Sequence, residues 1–452
     1  MPADEIVAPA QPEALPRRLG VWTAAAVTMG IIIGSGIFRT PTTIAQLTGS
    51  VGGIALVWTV GGLITLCLAV CLAELATMFP RAGGIYVYLR EAYGPAVAFV
   101  FGWTFLLINP SQWAAVSLIF AEYLGAFVPL TPDGKRLTAS ALVLFVSAAN
   151  YYSLRFAAGI QNFATSAKVL ALAGIALLVF LLGSGHASDG ALMQPVQFAL
   201  PALGVFGVAV VAVLWPYEGV AASCALSGEV RDPAYTLPRA LILSVLGVMA
   251  LFLLINAAYL YVLPLQAVAG SSLVAADAMR AVSGPTGAAV IAACVMLSTF
   301  GTVAAVAIVD PRVFYAMARD GLFFERIGAV HPRYQTPHIA ILITAGLAVL
   351  YLWVRTFEQL AAQFILGLWL FYALAVAGLV VLRVRRPLAP RPYRTFGYPV
   401  VPVLFVLSAG GLLLNSFVEL PAIALTNLAV TCTGIPIYFV WKRLRSGSPR
   451  DR

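Results

Sequence analysis

Runs of about 20 apolar residues recur along the whole 452-residue chain. A helix of that length spans about 30 Å, which matches the hydrocarbon core of a bilayer. With 61% hydrophobic and 10% charged residues, the chain has more apolar surface than one water-soluble core can bury. The sequence therefore predicts an all-α membrane protein with 12 transmembrane helices. These spans are expected near residues 20–47, 51–79, 95–127, 138–154, 158–183, 198–226, 237–264, 286–308, 337–354, 360–382, 399–417 and 420–441.

The charged residues predict how the chain is oriented in the membrane. The first 18 residues are polar and contain no apolar segment with a cleavage site, so we expect the first span itself to direct insertion. Most of the 27 Lys and Arg residues fall in one set of loops, which predicts that both termini are cytoplasmic. The net charge of +9 reflects this topology, so we expect the lipid bilayer and no nucleic acid as a partner.

Residue patterns that carry enzymatic or metal chemistry are sparse. The five cysteines lie in apolar stretches, and the three histidines lack the spacing of a zinc site. The sequence has no phosphate-binding G-x-x-x-x-G-K-[ST] run, and no catalytic triad or dyad falls inside the spans. We therefore expect no disulfide, metal, cofactor or enzymatic activity. A sensor is an alternative, for which the chain offers no recognisable output domain.

Two predicted spans are interrupted. The first contains Gly30, Gly34, Ser35 and Gly36, and the sixth contains the run 215–219, Trp-Pro-Tyr-Glu-Gly. Breaks in the first and sixth spans are typical of two five-helix units inserted with opposite orientation. The predicted units are a cytoplasmic N-terminal tail at 1–19, a first repeat at 20–184, a second repeat at 198–384, two peripheral spans at 398–441 and a cytoplasmic C-terminal tail at 442–452.

Helix breaks inside a membrane need partners for their backbone groups. The positive end of a half-helix can face a carboxylate, and free carbonyls can accept an ammonium group. An α-amino acid carries that pair of charges, so the breaks indicate a carrier of amino acids. The alternative is close helix packing, because Gly30 and Gly34 also form a GxxxG pattern.

Six longer motifs stand out along the chain: GIIIGSGIF at 30–38, AELATMFPRAGGIYVYL at 73–89, GEVRDPAYTLPRA at 228–240, RVFYAMARDG at 312–321, WLFYALAVAGL at 369–379 and RPYRTFGYP at 391–399. In these segments the chain resembles the amino acid–polyamine–organocation superfamily, most of all its L-type amino acid transporter branch. The resemblance implies a LeuT-like fold and a secondary active transporter that moves amino acids by sodium-independent exchange or with protons. The alternative is a polyamine or amino acid/amine antiporter.

The resemblance also implies a substrate site in the two breaks. Ser35 and Gly36 would contact the substrate carboxylate. The backbone carbonyls implied to receive the α-amino group are those of Ile32, Trp215, Pro216 and Glu218. The Trp215 side chain would in addition be an aromatic lid over the substrate.

Two ionisable residues inside spans need a partner or a function. The resemblance implies that the Lys168 ammonium stands where sodium sits in sodium-coupled relatives; the alternative is a lysine that reaches the cytoplasmic interface. Glu218 is a cation contact, a proton carrier, half of a buried ion pair or a hydrated rim residue. A carboxylate beside the ammonium pocket would favour cationic substrates.

Other polar residues in the spans are Asn109, Gln112 and Tyr372, which line the substrate path or bond neighbouring helices. Compared with the family pattern, Asp310 adds a charge at a position that is usually uncharged, and Pro216 replaces a small residue. The loop 129–137 has no cysteine, so we expect no disulfide-linked accessory subunit and a stand-alone protein of a bacterial inner membrane. Cytoplasmic loop or gate charges of small energetic weight are expected at Glu74, Arg81, Glu91, Arg231 and Arg319.

Overall fold

A computed structural model of the protein describes residues 20–80, 83–152, 171–183, 201–224, 230–334 and 336–446. Within these ranges the chain forms helices and no strand. In the first half they are α1 (Val21–Ile32), a short 3-10 helix (Gly36–Phe38), α2 (Thr40–Thr48), α3 (Val51–Met78), α4 (Ile85–Tyr93), α5 (Pro95–Ile108), α6 (Pro110–Leu124), α7 (Pro132–Tyr152) and α8 (Ala171–Leu182). In the second half they are α9 (Leu203–Leu214), α10 (Val220–Ser223), α11 (Pro233–Val262), α12 (Leu265–Gly270), α13 (Val274–Arg319), α14 (His338–Val354), α15 (Phe357–Arg385), α16 (Val400–Glu419) and α17 (Pro421–Ser446).

Many of these helices suit a membrane. Among the described residues, 7 helical segments are long and apolar enough to cross it, and four shorter apolar helices accompany them. A helix overlaps every range in which the sequence predicts a span. The prediction of an all-α membrane protein is therefore confirmed, whereas the number of crossings and the inverted repeat stay predictions.

Helices α5 and α6 together form one candidate membrane span. They meet at Asn109, whose φ of −57° and ψ of −31° are helical, and Pro110 begins the second part. A proline inside a helix removes one backbone hydrogen bond but keeps the chain direction when the preceding residue stays helical. Pro95–Leu124 is thus a 30-residue segment with Asn109 near its middle.

The helices differ in how deeply they are buried. In the most apolar part of Pro95–Leu124, 72% of the residues are buried, compared with 22% for α16 and 28% for the last helix. Helix α11 packs against both α1 and α3, and α13 packs against α6. Helices α16 and α17 therefore lie at the edge of the bundle, where long apolar side chains such as Leu414 face outward.

The C-terminal end of α3 holds a buried ion pair. Glu74 has no exposed surface, and it accepts hydrogen bonds from Arg383 Nε at 3.0 Å and Nη2 at 2.6 Å. The backbone N–H of Thr395 donates to the same carboxylate at 2.7 Å, and Arg391 Nε lies 3.5 Å away. The expectation that Glu74 is a loop charge of small energetic weight was wrong, because its partners come from the end of α15 and the segment after it.

Candidate functional site

The breaks of the first and sixth spans meet in the bundle. The first break lies between α1 and α2, and the sixth lies between α9 and α10. A Cβ atom added at Gly36 would lie 2.8 Å from side-chain atoms of Trp215 and Pro216. One added at Gly219, whose φ is +131°, would lie 3.1 Å from the Ile31 carbonyl oxygen. Glycine on each side is therefore what allows the two breaks to touch.

The first break offers hydrogen-bond donors without acceptors. The Ser35 hydroxyl is buried and makes no hydrogen bond within the described part of the chain. In the same ranges, the backbone N–H groups of Gly34, Ser35 and Gly36 donate to no backbone carbonyl. Buried donors without partners are costly, so the break is suited to an anionic or polar ligand. A carboxylate can accept hydrogen bonds from several adjacent donors.

The sixth break follows the last turn of α9. Trp215 and Pro216 are buried, and the Trp215 carbonyl accepts the N–H of Glu218 at 3.2 Å. The Trp215 carbonyl, which was predicted to receive the substrate amine, therefore already accepts one hydrogen bond within the protein. Because a carbonyl oxygen has two lone pairs, it can still accept a second bond from a substrate. Ile32, at the end of α1, is 1% exposed and lies directly beside Gly219.

Glu218 is held by a tyrosine from α15. The Tyr372 hydroxyl donates to Glu218 Oε1 at 2.8 Å, and the carboxylate is half-buried. No Lys, Arg or His whose side chain the structure describes lies within 4.0 Å of it, so it forms no ion pair with any of those residues. A carboxylate that is half-buried among apolar helices and has no basic partner attracts a cation or a proton.

Trp215 is covered on one side by aromatic side chains of α15. Its ring lies 5.5 Å from Phe364 and 6.2 Å from Phe357, both edge-on. Arg39, just after the first break, contacts Glu358 at 2.7 Å, and its guanidinium lies 5.4 Å from the Phe357 ring centre. No role was predicted for Arg39, although a basic residue inside a predicted span is a signal for one.

Arg39 also contacts a third helix. Its Nε lies 3.2 Å from Glu122 at the end of α6. A single guanidinium therefore joins the first broken span to α6 and α15. This cluster, Arg39 with Glu122 and Glu358, lies next to the rings that cover Trp215.

The remaining predicted residues divide into three cases. Asn109 bonds a neighbouring helix, since its side-chain amide donates to Asp310 at 2.5 Å, while Gln112 is half-buried one turn further along. Tyr372 contacts the break through Glu218. Lys168 lies outside the described residues, so its role stays a prediction.

Comparison with known proteins identifies the family. Residues 19–440 match the family model described as amino acid permease. The chain is 31% identical to the human b(0,+)-type amino acid transporter 1, over 96% of this chain and 89% of that protein. It is 32% identical to the large neutral amino acids transporter small subunit 2 of Oryctolagus cuniculus, over 94% and 81% of the two chains. It is 28% identical to the serine/threonine exchanger SteT of Bacillus subtilis, over 96% and 98%. The chain therefore belongs to the amino acid permease family of the amino acid–polyamine–organocation superfamily, as its motifs predicted.

Proposed function

We propose that the protein is a secondary carrier that exchanges amino acids across the membrane without sodium. The observation that supports this most is the junction of the two breaks. Within the described part of the chain, the first break holds donors without acceptors and the second holds a carboxylate without an ion-pair partner. The three relatives are named as amino acid transporters or exchangers. The same junction fits a bundle of two inverted five-helix repeats at 20–184 and 198–384.

The proposed binding mode uses both charges of an α-amino acid. The substrate carboxylate binds at the N–H groups of residues 34–36 and at the Ser35 hydroxyl. The α-amino group binds at carbonyls of Ile32, Trp215, Pro216 and Glu218, and Trp215 closes over the substrate. Binding both charged ends at a point where two helices are broken makes occupation of the site sensitive to any movement between the two repeats.

Glu218 gives the site a preference for positive charge. Its carboxylate attracts a cationic side chain, and Tyr372 fixes the orientation of that carboxylate. Cationic and neutral amino acids are therefore the proposed substrates, and acidic ones are excluded. An amine without a carboxylate is the alternative substrate, since Glu218 would attract it equally, but it would leave the Ser35 hydroxyl without a partner.

The proposed setting is a bacterial inner membrane, with both termini in the cytoplasm. The large neutral amino acids transporter of Oryctolagus cuniculus is named as a small subunit, which describes that protein as part of an assembly. In this chain the loop 129–137 has no cysteine to hold such a partner. We therefore propose that the protein works without a disulfide-linked subunit.

The test is flux through purified protein in liposomes. Radiolabelled cationic, neutral and acidic amino acids and amines lacking a carboxylate are offered to liposomes that are empty or preloaded with amino acid. The expected result is uptake of cationic and neutral amino acids into preloaded liposomes, unchanged when choline replaces sodium. Sodium dependence would contradict the role of Lys168, and uptake of amines alone would contradict the amino acid assignment.

A further inference from the structure

Tyr217 lies inside the sixth break, and its side chain packs against different helices from those that its neighbours contact. The Trp215 ring and the Glu218 carboxylate contact residues of α15. The Tyr217 side chain is 1% exposed and contacts α3 and α11 instead. The proposed substrate site assigns no task to Tyr217. The break therefore connects two groups of helices, and Tyr217 attaches it to one of them.

A hydrogen bond and two ring contacts hold the Tyr217 side chain in place. Its hydroxyl donates to the backbone carbonyl of Trp58 in α3 at 3.0 Å. Its ring lies 6.0 Å from the Trp58 ring and 5.2 Å from the Phe252 ring of α11, both edge-on. Trp58 and Phe252 also contact each other edge-on, at 5.3 Å. Edge-on ring contacts at these distances are favourable, so the buried Tyr217 side chain has one defined orientation.

Two glycines of α3 leave room for Tyr217. A Cβ atom added at Gly61 would lie 3.5 Å from the Tyr217 ring, and one added at Gly62 would lie 3.0 Å from its hydroxyl oxygen. The second distance is tighter than an ordinary van der Waals contact, so any side chain at position 62 would press on the hydroxyl. The surface of α3 is therefore matched to the hydroxyl group as well as to the ring.

The backbone of the sixth break has few hydrogen bonds of its own. Among the N–H groups of Tyr217, Glu218 and Gly219, that of Glu218 alone donates to a backbone carbonyl in the described part of the chain, at 3.2 Å to Trp215. A regular helix would give each of these groups its own bond. The directions of the carbonyls at residues 215–218 therefore depend on how the side chains of the break are attached to the surrounding helices.

We propose that Tyr217 is a positioning residue that fixes the carbonyls of the sixth break for the substrate ammonium group, a proposal that rests on the transport function above. Tyr217 does not touch the substrate and acts through the backbone of Pro216 and Glu218. Fixing binding groups before a ligand arrives raises affinity, because less ordering is needed on binding.

This role predicts a distinct pattern of substrate effects. Every α-amino acid presents the same ammonium group to these carbonyls, whatever its side chain. Tyr217 therefore sets an affinity that all substrates share. The Glu218 carboxylate, in contrast, sets a preference among substrates through their side-chain charge.

The experiment removes the hydroxyl and keeps the ring. The KM and the maximal rate of exchange are measured for Tyr217→Phe in preloaded liposomes, with one cationic and two neutral amino acids of different size. We expect KM to rise about three- to tenfold for all three, the effect of one lost hydrogen bond, at an unchanged maximal rate. The matched control is Tyr259→Phe in α11, which removes a buried hydroxyl that makes no hydrogen bond within the described residues and should leave KM unchanged.

A second variant reaches the same hydrogen bond from α3. Gly62→Ala places a methyl group beside the Tyr217 hydroxyl, and the Met249 side chain that also lies there is flexible enough to move aside. We expect it to raise KM as Tyr217→Phe does. In the double variant the two effects should not add, because the hydroxyl on which the methyl group acts is gone. Additive effects would place the action of the methyl group elsewhere and count against the proposal.

The outcomes separate positioning from other roles of Tyr217. An unchanged KM in Tyr217→Phe would overturn the proposal, and a lower maximal rate and unfolding temperature at unchanged KM would show a purely structural role. A rise in KM for one amino acid alone would place the phenol against the substrate side chain. If the unmodified protein exchanges no amino acid, the proposed function fails. Thermal stabilisation by amino acids in detergent then compares the same variants for binding alone, and its absence would overturn the positioning role too.

Discussion

Replacing Gly36 with alanine tests whether contact between the two breaks creates the binding site. The new methyl carbon would lie 2.8 Å from side chains of Trp215 and Pro216 and 2.9 Å from the Pro216 Cα atom. Since one of these contacts is with the backbone, a side-chain rotation cannot relieve it, and the two breaks must separate. Overpacking of this kind costs ~1–3 kcal/mol.

The expected effect on binding follows from that cost. If the whole penalty falls on the substrate-bound state, the affinity drops about 5- to 150-fold, since ~1.4 kcal/mol corresponds to a factor of ten. The assay is the concentration dependence of exchange in preloaded liposomes, with thermal unfolding in detergent to confirm that the variant folds. The matched control is Gly346→Ala in α14, where an added Cβ meets no atom within 4 Å. An affinity for Gly36→Ala within twofold of the unmodified protein would refute the reasoning.

Two further changes test individual carboxylates. Glu218→Gln should lower uptake of cationic relative to neutral amino acids by about tenfold or more, because a charge pair near 4 Å contributes up to ~4 kcal/mol in a partly polar site; an unchanged ratio in competition assays would contradict this preference. Glu74→Gln should destabilise the fold by ~3–5 kcal/mol, because it leaves Arg383 and Arg391 without their buried counter-ion. Glu91→Gln, whose partners Arg90 and Arg386 are both partly exposed, should cost less than ~1 kcal/mol in the same thermal unfolding measurement, and equal losses would show that burial is not the cause.

The broken helices were predictable because their cause is local. Glycine, serine and proline in a short stretch interrupt a helix wherever the chain is placed, so residues 34–36 and 215–219 could be recognised directly. Their meeting was predictable from the position of the breaks in the first and sixth spans. The structure agrees, because Gly36 touches Trp215 and Pro216.

The polar pairs between distant helices were not predictable. Asn109 and Asp310 are 201 positions apart, and Glu74 and Arg383 are 309 apart, so no periodic pattern connects either pair. Glu74 lies at the end of an apolar run, where an exposed loop charge and a buried ion pair look the same in sequence. Whether Glu74 is exposed or paired depends on the segment after α15, which places Arg391 and Thr395 beside it.

Helix α15 is attached at three depths. Glu358 in its first turn binds Arg39, Tyr372 near its middle binds Glu218, and Arg383 in its last turn binds Glu74. Glu358 and Arg383 are 25 residues apart, or about 38 Å along the helix axis. A tilt of about 6° around Tyr372 would move both ends by about 2 Å in opposite directions, enough to lengthen both ion pairs beyond hydrogen-bond distance. An antibody fragment or small molecule that holds either ion pair closed would therefore oppose any tilt of α15.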